Sequence, residues 1–400
     1  MVFVLGGVQS DFARHLAREG TGLDALVGEM VDQVCADARI DIGEIDAIHV
    51  GNAFGELFTG QAQMGALPAT ARPALWGVPA SRHEAACASG SIALLSAMRD
   101  IEAGVYDCVL VVGVEQERNV SGEVGAKHMG AAAWVGHEGE SARYVWPHMF
   151  SRIADAYAER WGLEHAHLEM IAKKNLGNAR RNPLAQTRAW EWTDATFGDD
   201  KLNAVVEGRL RRYDCAQVTD GAAAVLLASK KLAANAKARI SGWGHRTAAL
   251  GLDAKLARHT DKSQLLVPHL AQAFSDALRR AEVPDVRSLS GVEVHDCFTI
   301  TEYLAVEHIG LTAPGDAWKE IESPTLPINP SGGLIGGGHP VGATGVRMLV
   351  DALKQVTHTA GDMQVDGATK LATLNIGGSA TTAVAFVVDS MDANGTSLSG

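Results

Sequence analysis

Cysteine is scarce and unpaired in this chain. Cys35, Cys87, Cys108, Cys215 and Cys297 are widely spaced, odd in number, and include no Cys-x-x-Cys. A disulfide framework or a zinc site is therefore not expected, and a reducing compartment fits. Long apolar runs are missing too, so no segment reads as a membrane span. The first residues, Met1-Val2-Phe3-Val4-Leu5-Gly6-Gly7, lack a basic region and read as a first strand, not a signal peptide. The final Ser-Leu-Ser-Gly is not the peroxisomal Ser-Lys-Leu tripeptide. These absences predict a soluble, cytoplasmic protein with no membrane partner. Positive charge is also in deficit: the formal net charge is -12. Phosphate neutralisation needs a basic face, so a nucleic-acid partner is not expected, and an anionic substrate would need a local basic patch.

What is present is an ordinary globular composition, 46% hydrophobic and 20% charged over 400 residues, long enough for two or three domains. Strand and helix patterns alternate, which predicts an α/β fold. Leu23–Ala38 carries the apolar stripe of a core-facing helix, and Ile45–Val50 reads as a buried strand. Ser89–Ala103 reads as an apolar helix stopped by Gly104, followed by a Val-rich strand over Tyr106–Val114.

The halves of the chain repeat each other weakly. Val50-Gly51-Asn52-Ala53-Phe54 matches Val294-His295-Asp296-Cys297-Phe298. Cys87, with Gly90 three residues on and a helix behind it, matches His339, with Gly342 three residues on and a helix to about His358. The strand at Val109–Val114 matches Leu371–Ile376, and Gly221–Ala228 matches Gly378–Val387. In the second half the last two strands nearly touch. In the first, roughly Gln116 to Thr219 intervenes, too long for a plain loop and hence an inserted subdomain. The expected division is 1–118 with 215–240 as the N-terminal half, 119–214 as the insertion, and 241–400 as the C-terminal half. The insertion carries Lys173, Lys174, Arg180, Arg181, Arg209, Arg211 and Arg212. That basic cluster reads equally as a solvated helix face or as a phosphate-binding patch.

Four side chains carry the chemistry. Cys87 stands at a helix start among small residues; a helix N-terminus favours the thiolate and small neighbours admit a bulky thioester. A buried structural cysteine is the competing reading. His339 lies between Gly336-Gly337-Gly338 and Pro340, outside any regular helix, where its imidazole could serve Cys87 as a base. No Gly-Lys-Ser/Thr follows, so a phosphate loop does not fit. His295 and Cys297 lie two apart at the end of a strand and so face one side. A second thiol there suits acid/base work on carbon; a metal pair finds no further Cys or His at ligand spacing, and no metal is expected. Cys35, Cys108 and Cys215 fit the core. His15, His49, His165, His167 and His259 belong to no motif and read as structural or surface residues.

Cys-Ala-Ser-Gly before an apolar helix, His295-Asp296-Cys297-Phe298, Asn329-Pro330-Ser331-Gly332-Gly333 and Gly-Gly-His339-Pro-Val-Gly-Ala-Thr-Gly together resemble the thiolase superfamily, nearest the sterol-carrier-protein type. The resemblance covers nearly the whole chain. It implies two similar α/β halves layered α-β-α-β-α, with an inserted loop domain that holds coenzyme A as co-substrate and no permanently bound cofactor. Conventional thiolases read Asn-Glu-Ala-Phe at residues 295–298 and carry a second cysteine in Cys-x-Gly where this chain has Asn375-Ile376-Gly377. Cys297 then takes the role of the missing thiol.

By the same resemblance, Cys87 attacks a 3-oxoacyl-CoA with His339 activating it, and Cys297 protonates the departing enolate. The reverse is a Claisen condensation. His295 and His339 would form one oxyanion hole, and the N–H groups of Cys87 and Gly377 another, each donor worth about 3 kcal/mol. His148 and Met149 would line the pantetheine tunnel. A role in lipid metabolism and a homodimer or tetramer follow from the resemblance, which also leaves room for a small partner protein. The competing functions are a ketoacyl-synthase-like condensation, which needs no Cys297, a retro-aldol reaction, in which the Cys87 nucleophile would be lost, and a non-catalytic acyl-CoA or lipid carrier.

Overall fold

Nine strands hydrogen-bond into one sheet in the computed structural model, which describes residues 1–258 and 261–391; His259 and the final Ser-Leu-Ser-Gly lie outside the described residues. The strands are β1 (Val2–Gln9), β2 (Ala47–Gly51), β3 (Ala80–His83), β4 (Cys108–Glu115), β5 (Gly221–Ala228), β6 (Ala238–Thr247), β7 (Gly291–Val294), β8 (Lys370–Gly377) and β9 (Thr382–Ser390). Their order is β3-β2-β4-β5-β1-β6-β9-β8-β7. The two halves meet where β1 pairs antiparallel with β6, Val2 opposite Ile240. On either side of that seam the order mirrors itself: β1 and β6, β5 and β9, β4 and β8, β2 and β7. β3 runs parallel to β2, and on the other side Ile328 makes a lone parallel bridge to Val292 of β7.

The principal helices are α1 (Leu23–Ala38), α2 (Ser89–Glu102), α3 (Val145–Trp161), α4 (His165–Ala179), α5 (Pro268–Arg280), α6 (Thr299–His308) and α7 (Thr344–Val356). Along β4 the alternation of a strand sends Leu110 and Val112 to α1, and Val109 and Val111 to α2. The core around α2 and α7 takes Val109 and Val225 from the first half and Leu371, Val384 and Phe386 from the second. α5 and α6 cover the opposite face of the second half, against Leu374, Ala383 and Ala385. The layering is thus α-β-α-β-α, with α2 and α7 as the shared middle layer. Among the described residues, no helix is long and apolar enough to cross a membrane.

The middle layer explains the repeated spacing of Cys87 to Gly90 and His339 to Gly342. The two helix starts meet backbone to backbone: a Cβ on Gly90 would lie 2.8 Å from the Gly342 carbonyl oxygen, and one on Gly342 2.7 Å from Asn52 Cα. A side chain at either position would push Cys87 and His339 apart.

The insertion contributes α3, α4 and a short hairpin of Val205–Glu207 with Leu210–Arg211. Its basic residues do not form one free patch. Lys173 pairs with Glu169 and Asp194, Lys174 with Glu302, Arg209 with Asp155 and Arg211 with Asp200. Arg181 donates to Asn178, and Arg180 and Arg212 lie over the rings of Trp192 and Trp190.

Overpacking at the crossing is testable. Gly90→Ala should lower the unfolding free energy by about 1–3 kcal/mol. Gly177→Ala on α4, where an added Cβ meets nothing within 4 Å, should raise it by up to about 1 kcal/mol. Chemical denaturation of the two variants beside the parent checks both signs.

Candidate active site

The residue before Cys87, Ala86, is held at φ +50, a left-handed conformation costly for any side chain, and it turns the chain sharply into α2. Cys87 is half-buried there. Burial above all, and then the charge of Glu117, push its thiol up to about 12, while the N–H groups of Gly378 and of Cys87 itself pull the other way. The resting side chain is a thiol. The expectation of a thiolate favoured by the helix start is overturned at this site, because desolvation outweighs the helix end. Gly377 ends the β8 ladder opposite Thr382, and the amide reaching the sulfur belongs to Gly378, where φ +63 turns the chain toward the site.

His339 is buried, and burial followed by the Arg347 charge pushes its imidazole down to about 3. Its Nδ1 lies 2.6 Å from Thr344 Oγ1, whose hydroxyl also donates to the Pro340 carbonyl at 3.0 Å. With that hydrogen committed, Thr344 accepts from Nδ1–H, and Nε2 is left with a free lone pair. His295 lies edge-on to His339, 5.2 Å between ring centroids, and is also held neutral, first by burial and then by the charges of His339 and Arg347. One ligand-type atom each from Cys87, His295 and His339 falls within 4.8 Å of the others. A thiol and two imidazoles far apart in sequence therefore converge on one point. The same convergence would suit three ligands of a thiophilic cation, which sequence spacing gave no reason to expect.

Cys297 enters the same cavity, and Asp296 points away from it to the turn before His339; β7 has already ended at Val294, so the loop sets these directions. Burial first, then the Cys87 charge, hold the Cys297 thiol well above its ordinary value, so it carries its proton. Asp296 accepts from the N–H groups of Leu334 and Ile335 at 2.6 and 3.2 Å, tying its loop to the glycine turn before His339. The insertion fastens both loops. Asn175 of α4 donates to Asp296 at 2.7 Å, Thr187 donates to the Gly336 carbonyl at 2.8 Å, and the Ala216 N–H donates to the Cys297 carbonyl at 2.9 Å. The returning chain then bridges Phe298 through Cys215 and His339 through Val218.

The cavity over these groups holds about 210 Å³ and has a mostly apolar wall that includes Phe54, Met129, Trp146, Phe150 and Val341. His148 and Met149 are not in that wall. On α3 it is Trp146, Pro147 and Phe150 that face the cavity, and the helical phase turns His148 away and sends Met149 into the core. Cys215, half-buried, packs against the core of the second half and also lines the cavity, because it sits in the returning segment just described. His49, expected to be structural or surface, forms a chain with His83 and Asp100 at 2.8 and 2.9 Å, away from the site.

Several contributing residues carry no motif. Among the described residues, Glu117 is the only carboxylate in the cavity wall; burial and then Glu115 keep it protonated well above the ordinary range, and it accepts from Val341 N–H at 2.9 Å. Lys255 is buried, and desolvation lowers it to about 8. It donates to Ser379 and Thr381 at 2.8 Å each and so braces the turn that carries Gly378. Neither was legible in advance, since nothing local marks a lone glutamate or lysine that folding will bury. A larger cavity of about 540 Å³ lies behind α4, lined in part by Lys174, Arg181 and Glu302, and holds no nucleophile.

Comparison with known proteins agrees with this geometry. A family model described as "Thiolase, N-terminal domain" matches residues 2–231, and one described as "Thiolase C-terminal domain-like" matches residues 253–390. The chain belongs to the thiolase family. An acetyl-CoA acetyltransferase of Methanothermobacter thermautotrophicus is 31% identical over 367 residues, covering 88% of this chain and 90% of the relative. Human sterol carrier protein 2 is 29% identical over 399 residues, covering 94% of this chain and 70% of that protein. Among solved structures, the Ltp2–ChsH2(DUF35) aldolase superposes with a TM-score of 0.78 at 19% identity, covering 97% of both chains. The Acat5 thiolase of Ascaris suum in complex with coenzyme A gives 0.68 at 17% identity, covering 98% of this chain and 100% of that one. At those identities the structures testify to a shared thiolase fold.

A thiol at about 12 beside an imidazole at about 3 sets a pH signature. Only the thiolate alkylates, so the rate of Cys87 modification by iodoacetamide should climb about tenfold per pH unit from 6 to 9, with no plateau near neutrality. Glu117→Gln, which removes the charge that forms as Glu117 ionises, should raise the rate at pH 9. A plateau below pH 8 would mean a thiolate–imidazolium pair.

Proposed function

We propose that this thiolase-family chain is an acyl-CoA C-acyltransferase that cleaves 3-oxoacyl-CoA with coenzyme A and runs the reverse Claisen condensation. The observation that carries the reading is the convergence of Cys87, His295 and His339 within 4.8 Å, with the protonated Cys297 in the same cavity. The chemistry then needs no standing charge. His339 Nε2 takes the Cys87 proton as sulfur bonds to the 3-keto carbon, and the N–H groups of Cys87 and Gly377 serve the oxyanion that forms there. When that adduct collapses, the C2–C3 bond breaks and its electron pair moves into the enolate of the departing acyl-CoA. Cys297 donates its proton to C2, while His295 and His339 face the enolate oxygen. Coenzyme A then passes its thiol proton to Cys297 and attacks the Cys87 thioester, and Cys87 recovers its own proton from His339. Atoms and protons balance over the cycle with no permanent cofactor and no metal.

The proposal includes a cytoplasmic homodimer or tetramer working in lipid metabolism. The 210 Å³ cavity with its aromatic walls supports an acyl group of modest size. A retro-aldol reaction would leave Cys87 and its base without a task, and a carrier would need neither Cys297 nor the convergent imidazoles.

CoA-dependent cleavage of acetoacetyl-CoA and longer 3-oxoacyl-CoAs tests the reading. Cys87→Ala should abolish turnover. Cys297→Ala should lose thiolysis yet still take an acyl group on Cys87, detectable by intact mass. Full turnover by Cys297→Ala would remove the second-thiol role, and binding without any cleavage by the parent would favour the carrier. His295→Ala, losing one oxyanion donor, should lower kcat about a hundredfold.

A further inference from the structure

Two neutral imidazoles face one point, and for catalysis it matters which nitrogen of each carries the proton. For His339 the answer comes from Thr344, as above. For His295 it comes from a buried polar pair: Ser91 on α2 and Asn375 near the end of β8. Ser91 Oγ donates to Asn375 Oδ1 at 2.8 Å, and Asn375 Nδ2 lies 3.0 Å from His295 Nδ1. An amide nitrogen has only hydrogens to offer, so Nδ1 must present its lone pair, and a neutral ring then carries its one proton on Nε2. Space is kept for this pair by Gly345 of α7: a Cβ there would strike the Ser91 hydroxyl and lie 2.8 Å from Asn375 Oδ1. Both residues of the pair are buried, so no solvent competes for the amide.

We propose that Asn375, oriented by Ser91, is a positioning residue that holds the single proton of His295 on Nε2, so that this ring donates to the substrate oxygen while His339 accepts from Cys87. The two rings are held in opposite tautomers by neighbours on opposite sides, Thr344 and Asn375. Neither imidazole needs to be charged for the pair to offer one donor and one acceptor. The position that the family resemblance gives to a second thiol here carries an amide that acts on a ring and not on substrate. This inference rests on the thiolytic reading for its kinetic consequence, but not for its structural one.

The direct test is the nitrogen NMR spectrum of protein labelled with ¹⁵N-histidine, with the His295 signals assigned by their loss in His295→Gln. The parent should show His295 neutral, protonated at Nε2 and bare at Nδ1. Asn375→Leu, which cannot donate, should populate both tautomers, and so should Ser91→Ala, which frees the amide to flip. A parent ring protonated at Nδ1, or a single unchanged tautomer in a folded Asn375→Leu, overturns the proposal. If Asn375→Leu does not fold, the Ser91→Ala spectrum decides by the same criterion.

Kinetics supply a readout that a merely structural role would not give. Asn375→Leu should lower kcat on the order of tenfold to a hundredfold, with KM and the rate of Cys87 alkylation both within about twofold of the parent, because the oxyanion exists only in the transition state. Unchanged kcat, or a parallel loss of alkylation and KM, overturns the positioning role. If the parent cleaves no 3-oxoacyl-CoA, the functional reading fails while the spectrum still decides where the proton sits.

Discussion

The close contact of two helix starts is the constraint on which this molecule depends. α2 and α7 come from equivalent places in the two halves, and they can share one layer only because Gly90 and Gly342 let backbone lie on backbone. That contact places the residues three positions earlier, Cys87 and His339, at one point. The spacing that looked like a faint repeat in the sequence is a packing requirement, and the catalytic pairing follows from it. Gly51 belongs to the same crossing, since its Cβ would lie 2.6 Å from Gly90 Cα.

Burial sets the second constraint. Desolvation is the largest influence on five groups of the site: it raises Cys87, Cys297 and Glu117 and lowers His295 and His339. All five therefore favour their neutral forms at neutral pH. Such a site works by moving protons between partners of fixed geometry rather than by storing charge, and hydrogen-bond direction becomes the variable that must be controlled. Thr344, Asn375 and Ser91 exert that control, and each is itself buried.

Much of this was legible from the residues alone. Leu23–Ala38 is a helix over that span, and Gly221–Ala228 a strand, because their apolar periodicity is strong and tertiary packing agrees with it. The pairing of His295 with Cys297 was read from strand periodicity, yet β7 ends at Val294, and of the two it is Cys297 that lines the cavity. The division into two halves could be read from the repeat, but the seam between β1 and β6 could not, since nothing local announces which strand edges will meet. Helical phase also decides which side chains of α3 face the cavity: Trp146, Pro147 and Phe150 line it, while Met149 packs into the core. Glu117 and Lys255 escaped because burial of a charged or lone polar residue is decided by the whole fold. The ionisation of Cys87 escaped for the same reason, as a helix start viewed alone predicts the opposite sign.

The insertion leaves and re-enters the sheet at neighbouring positions, for Glu115 of β4 sits opposite Gly221 of β5 in the ladder. About a hundred residues therefore hang from two points one strand apart, and the sheet does not register how long that excursion is. Exchanging it for the equivalent segment of a relative would leave every strand in register. The exceptions are the last few residues, where Cys215 and Val218 bridge Phe298 and His339, and the contacts of Asn175 and Thr187 to Asp296 and Gly336. A transplanted segment must keep that short return and the Asn175 and Thr187 contacts to preserve the chemistry, and what lies between them can change to suit a different acyl chain.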